Sequence, residues 1–313
     1  MFVEKRASWI ATVALGGTAL PHIWMRTLTV TAISVAVTFA YREVPALHYS
    51  ITTTPFVLIG LPLGIFLGFR NNTAYDRFWE GRKLWGSLVN TSRSLTRQII
   101  TLIEPQPEAD ERGLEAIRAH EAAMVHMLIA YVHSLRHHLR ESDPFSTLER
   151  ILPEPEVARM RGESNVPIAI LQRIAGLMVE ARRKHWIHPL HVPVVEHSLT
   201  ALTDIQGGCE RIKSTPIPYS YTVLMHRIVA VYCGLLPFGL DETIGWATPV
   251  VVLFISYALF GLDAIGDEIE QPFGLDPNDL PLSTLSRAIE ANLRVRIGEQ
   301  PLPLFEPRDG VLP

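Results

Sequence analysis

His126, His133 and His137 fall within one helical-looking stretch, and His185, His188 and His191 crowd the run HWIHPLH. Imidazoles one helical turn apart, as His133 and His137 would be, can share a divalent metal. Neither trio matches H-E-x-x-H or has an acidic third ligand at a suitable spacing, and Pro189 interrupts the second. Both therefore read as solvated helix-face or loop residues. Cys209 and Cys233 lack any C-x-x-C partner, which leaves them as reduced thiols with no disulfide or zinc role. No Walker loop, G-x-S-x-G or G-x-G-x-x-G occurs, and Gly207-Gly208 is too short a signal for a phosphate cradle. The sequence is expected to be neither an enzyme nor a cofactor carrier.

A different pattern stands at helical spacing in one apolar run. In LPLGIFLGFRNN, residues 61–72, Leu61, Ile65 and Phe69 recur every four residues, with Gly60, Gly64 and Gly68 every four beside them. On a helix this sets a bulky apolar stripe about 100° from a glycine ladder. Such a ladder is expected to be a packing face, because it lets helices approach closely in a bilayer. Counting on from Phe69, Thr73, Asp76 and Glu80 follow at spacings of three and four. If the glycine face packs on a neighbouring helix, the bulky stripe points elsewhere, to lipid or to a central axis. Spacing alone also allows Asp76 to pair with Arg77 or Lys83.

The elements that must hold these residues read as helices. Of the 313 residues, 48% are hydrophobic, mean hydropathy is +0.18 and net charge is -4, without a basic block that would match nucleic acid. Four apolar spans are expected, at about 22–42, 52–69, 219–240 and 245–263, although none is a perfect block of about 20 apolar residues such as crosses a bilayer core of about 30 Å. The start of the chain has signal-peptide character, but its brief apolar part and the membrane-like segments that follow argue against cleavage. Residues 43–54 and 237–245, which link the spans in pairs, contain no Lys or Arg. Lys5, Arg6, Arg26, Arg70, Arg77, Arg82, Lys83, Arg211 and Lys213 cluster at the opposite ends, the positive-inside pattern that places both termini in the cytoplasm. Arg227, near the start of the third span, is expected to pair with a carboxylate or snorkel to headgroups.

Between the two pairs, 70–214 is expected to be a helical cytoplasmic region, with 264–313 as a cytoplasmic C-terminal segment. Tyr75, Phe78, Trp79, Leu84, Trp85, Leu88, Leu95 and Ile99 continue the second span at helical spacing. Residues 114–140, 168–187 and 194–213 carry helical periodicity too. Four prolines in 141–167 suggest an insertion without a packed core. No segment alternates like a strand.

LPLGIFLGFRNNTAYDRFWEGRKLWG, followed by STPIPYSYTVLMHR and EQPFGLDPNDLPL, resembles the bestrophin family of ion channels. The resemblance covers 20–100 and 195–296, and treats 1–313 as one channel domain. It implies an all-α homopentamer in the bacterial inner membrane, whose partners are itself, lipid and inorganic ions. It turns Leu61, Ile65 and Phe69 toward a central pore as an apolar neck, and makes Ile217, between Pro216 and Pro218, a cytoplasmic aperture. Asp76 and Glu80 then form a candidate acidic mouth, from which a weak cation preference over chloride is expected. Animal members bind calcium on an acidic run after P-F-G. Here only Asp276 and Asp279 remain of that run, a poor set for an ion that prefers six to eight oxygens, and Asp276 is expected to serve first as a cap. The rival reading is a membrane-bound scaffold or metal-binding regulator.

Overall fold

The computed structural model describes residues 20–44, 52–105, 110–307 and 312. The expected link at 43–54 lies partly outside them, and the candidate signal segment almost wholly. The described residues form ten α-helices, and their only β feature is an isolated Ile103–Ile187 bridge. They divide into two compact units.

The first unit, running to Trp79 and again over 215–272, holds the apolar helices. Helix α1 (Leu20–Glu43) packs on α8 (Tyr219–Ile244) and on α9 (Thr248–Glu270). The buried stripe of α1 includes Ile23, Thr27, Val30, Ser34 and Thr38, small residues that let a partner helix approach. The Thr29 and Thr31 hydroxyls donate back to the carbonyls of Met25 and Thr27, which satisfies them without water. A short 3-10 turn, Gly245–Ala247, joins α8 to α9, and Gly245 takes φ +56°, a left-handed conformation that favours glycine. Leu63, Leu67, Met225, Val229, Cys233, Val252 and Phe260 fill the core.

Helix α2 (Thr54–Leu102) is the longest element, 49 residues without a break, or about 74 Å at 1.5 Å per residue. Its continuation from the membrane segment is as expected from periodicity. By length and apolarity, Ile23–Glu43, Thr54–Leu102 and the stretch Tyr219–Glu270 qualify as membrane-crossing.

The second unit comprises 80–214 and the C-terminal part from Phe273. Helix α3 (Glu111–Leu139) is its centre: residues 127–135 are buried all round, as only a helix covered on every side can be. Asp110 caps its N-terminus by accepting from Gly113 N–H at 2.9 Å. Helices α6 (Val166–Arg183) and α10 (Leu282–Arg296) pack against α3, and α7 (Val192–Ser214) against α6. Trp85, Leu88, Leu95 and Ile99 are buried as their spacing predicts, whereas Tyr75 and Trp79 are half exposed.

The expectation for 141–167 is corrected. This region forms α4 (Phe145–Leu148) and α5 (Glu154–Met160), and Leu148, Leu152, Val157 and Met160 are all buried. Its prolines sit at helix N-termini, where a missing N–H costs nothing, so they start helices here instead of preventing them.

Candidate ion-conduction site

Helix α2 buries one stripe of its membrane half, Leu63, Leu67, Arg70 and Ala74, against its own chain. The stripe on the opposite face stays open. Leu61, Ile65 and Phe69 are 67%, 50% and 60% exposed, against 3% and 1% for Leu63 and Leu67. The glycine ladder is corrected in part. Only Gly60 faces another side chain, the Tyr232 ring, while Gly64 and Gly68 meet nothing within 4 Å of where a Cβ would stand. Within one chain the ladder is mostly not a packing face.

Immediately after Phe69 stands a charge cluster that the spacing arguments missed. Arg70 is 1% exposed, and its guanidinium donates to Asp263 Oδ1 at 2.8 Å and to Asp267. His226 Nδ1 lies 2.6 Å from Asp263 Oδ2, and its Nε2 lies 3.6 Å from Asp267 Oδ2. Glu270 Oε2 stands 4.0 Å from the Arg70 guanidinium, and its other oxygen accepts the Ile217 N–H at 2.8 Å. The Asn71 amide donates to Leu262 O, and Arg77 reaches the carbonyls of Glu270 and Thr215. Burying a guanidinium is tolerable only with such partners, so the cluster locks the start of the polar half of α2 to the ends of α8 and α9. Its sequence signal was the carboxylate spacing Asp263, Asp267, Glu270, three and four apart at the end of an apolar run.

His226, Asp263 and Asp267 are also close enough together to ligate a metal. The Arg70 guanidinium already bonds both carboxylates, which is the wrong charge to share with a cation. His133 and His137 do not converge: His133 Nε2 donates to Glu290 at 2.9 Å, while His137 contacts Ser142, Thr147 and Arg136. His126 instead meets Glu299 at 2.8 Å. Cys209 and Cys233 are free thiols. Arg227 is exposed and forms no ion pair among the described residues.

Ile217 is 9% exposed, turned inward within its unit, while Pro216 and Pro218 on either side are exposed. Asp76 is exposed and has no ion-pair partner among the described residues. Glu80 is bridged by Arg211 at 2.5 Å on a solvated surface, not held as a bare carboxylate. The expected roles of the calcium-run acids are exchanged. Asp279 is buried and its Oδ2 accepts from Asp276 N–H at 2.7 Å, while Asp276 contributes its carbonyl to Asp279 N–H at 2.9 Å. The cap is Asp279, because the turn points that side chain back along the chain. The Arg140 side chain ties this loop down through Phe273 O and Ser283 Oγ.

An all-α membrane protein is thus defined, with one helix leaving an apolar stripe open above a buried charge cluster. Residues 1–295 match the family model for bacterial and fungal bestrophin proteins. A Ralstonia nicotianae protein named as voltage-dependent anion channel-forming, RSc3414, is 40% identical over 304 residues, 96% of each chain. The Escherichia coli K12 protein YneE, also named as voltage-dependent anion channel-forming, is 32% identical over 97% of this chain and 96% of its own. The crystal structure of a Klebsiella pneumoniae bestrophin homologue superposes with a TM-score of 0.82 at 34% identity, covering 89% of this chain and 100% of that one. The chain belongs to the bestrophin family, and its kinship is with ion channels.

Proposed function

We propose that this chain assembles as a homopentamer in the bacterial inner membrane and passes small inorganic ions through a central pore. Each subunit contributes four membrane spans, about 22–42, 52–69, 219–240 and 245–263, with both termini, the region 70–214 and the segment 264–313 cytoplasmic. The observation that carries this reading is the open stripe of α2: three bulky apolar side chains exposed in the single chain, on the face opposite a stripe that is fully packed. Side chains this apolar need lipid, a partner or a dry constriction, and the family likeness favours the last. Five copies of Leu61, Ile65 and Phe69 around an axis form an apolar neck that gates by dewetting. The open face at Gly64 and Gly68 leaves room for the adjacent subunit.

Ile217 is the candidate second constriction on the resemblance. Its inward packing in the single chain means that lining a lumen requires the 215–218 segment to turn outward, away from Glu270.

For selectivity we take anions first. The relatives' names favour anions, and Arg211 offsets the charge of Glu80. A cation preference keeps one specific support, Asp76, which is exposed and without an ion-pair partner among the described residues. Reconstitution of purified protein in planar bilayers under a salt gradient tests both readings. Unitary current steps are expected, and silence favours a scaffold instead. An anion-selective reversal potential supports the first reading. A cation-selective one that moves toward anions in Asp76→Asn supports the acidic mouth.

A further inference from the structure

The second unit holds a cavity of about 560 Å³ whose lining charge is strongly one-sided. Four guanidiniums border it, from Arg136, Arg150, Arg287 and Arg294, against the single carboxylate of Glu290. They come from separate elements: Arg136 from α3, Arg150 from the turn after α4, and Arg287 with Arg294 from two turns of α10.

The hydrogen bonds around the cavity leave much of this cationic capacity uncommitted. Arg294 is spent on Glu290 and Glu299. Arg287 approaches Glu290 only at 3.6 Å, and its Nε is buried with no hydrogen-bond partner. Arg136 has a single partner among the described residues, the neutral His137 Nε2 at 2.6 Å, and Arg150 has no carboxylate there at all. The neighbouring cations register on Arg136: burial and the proximity of Arg140, Arg150 and Arg287 push its pKa down to about 10. Burial, with Arg136 next, pushes His137 down to about 4, so it is neutral at pH 7 and adds no charge of its own to the lining.

Guanidinium forks with donors to spare, brought together from three elements, match a tetrahedral oxyanion better than any apolar or cationic guest. The cavity volume is that of a small-molecule site. The Phe305 ring forms part of the wall and stacks against the Arg287 guanidinium at 5.2 Å, which fixes that fork in place.

We propose that this cavity is a binding site for a small multivalent phosphate anion in solution, held by Arg136, Arg150 and Arg287. A divalent or higher charge is required because the lining carries a surplus of several cations.

The test is titration of inorganic pyrophosphate into the full-length protein in nanodiscs of neutral lipid, followed by calorimetry. One saturable site per subunit is expected. Arg136→Ala and Arg287→Ala should each weaken it at least tenfold, whereas Arg93→Ala, outside this cavity, should leave it unchanged. Arg150 is exposed, so Arg150→Ala keeps the fold if the buried variants do not, and it too should weaken binding several-fold. Absence of saturable binding, equal affinity in Arg150→Ala and the parent, or binding that appears only when phosphatidic acid is added to the discs would each overturn the assignment.

Discussion

Replacing Arg70 by Met removes the guanidinium that pairs with the carboxylates of a cluster whose central acid is almost dry. The Asp263 side chain is 2% exposed and holds Arg70 at 2.8 Å on one oxygen and His226 at 2.6 Å on the other. Breaking a buried ion pair by deleting one partner costs about 3–5 kcal/mol, chiefly through the charge left behind. Here the lower end applies. His226 still bonds Asp263, and Asp267 is exposed enough for water to replace the guanidinium. A loss of about 3 kcal/mol is expected, close to a hundredfold in the unfolding equilibrium. Arg70→Met/Asp263→Leu removes both charges in an apolar setting and should recover most of that loss, giving a coupling of about 2 kcal/mol or more. Denaturant unfolding of purified protein in detergent, followed by tryptophan fluorescence, measures all four corners of the cycle. An Arg70→Met protein as stable as the parent, or a double variant worse than the sum of the singles, would refute the reading of Arg70 as the charge that Asp263 requires.

Ile65→Ala/Phe69→Ala should raise conductance or open probability, since it thins two of the proposed dry rings at five positions each; parent-like currents from an assembled double variant would point these residues elsewhere. Chelating calcium should leave currents intact, because the carboxylate of Asp279 is already committed to its own turn; strict calcium dependence lost in Asp276→Ala would restore a calcium site. Acid should unfold the second unit in two stages. His137, held down to about 4, is neutral when folded but charged when unfolded, so its contribution fades as pH falls from 6.5 toward 4. Burial raises the pKa of Glu290, but hydrogen bonds from His133 and Arg294 outweigh this and hold it at about 2, so its contribution is present above 4.5 and lost as pH falls toward 2. Glu290→Gln should shrink the second stage in a pH titration of stability, leaving the part that Glu180 and Glu210, also held low, contribute.

Helices were legible from the sequence because periodicity is a local property. The span residues, Trp85, Leu88, Leu95 and Ile99 announce their faces by spacing alone, and each lies on a buried face or an apolar helix as expected. The family could be read as well, since LPLGIFLGFRNN and PFGLDPNDLPL are contiguous runs. What proline does was not legible. In 141–167 the same residues signal a loop or a helix start, and only the buried Leu148 and Val157 beneath them decide. The glycine ladder needed tertiary structure for a similar reason: a ladder declares that a helix can approach, not which copy of the chain supplies it.

The candidate site divides along the same line. The sequence by itself fixed that Leu61, Ile65 and Phe69 share one face of a helix, because 1.5 Å rise and 3.6 residues per turn leave no choice. It could not tell that this face is the open one, because burial depends on where α1, α8 and α9 pack. Nor could it join Arg70 to Asp263, 193 residues away, or turn Glu80 toward Arg211. Charges so far apart in the chain carry no spacing signal, and their pairing is decided by the low-dielectric contact that only the folded helices create.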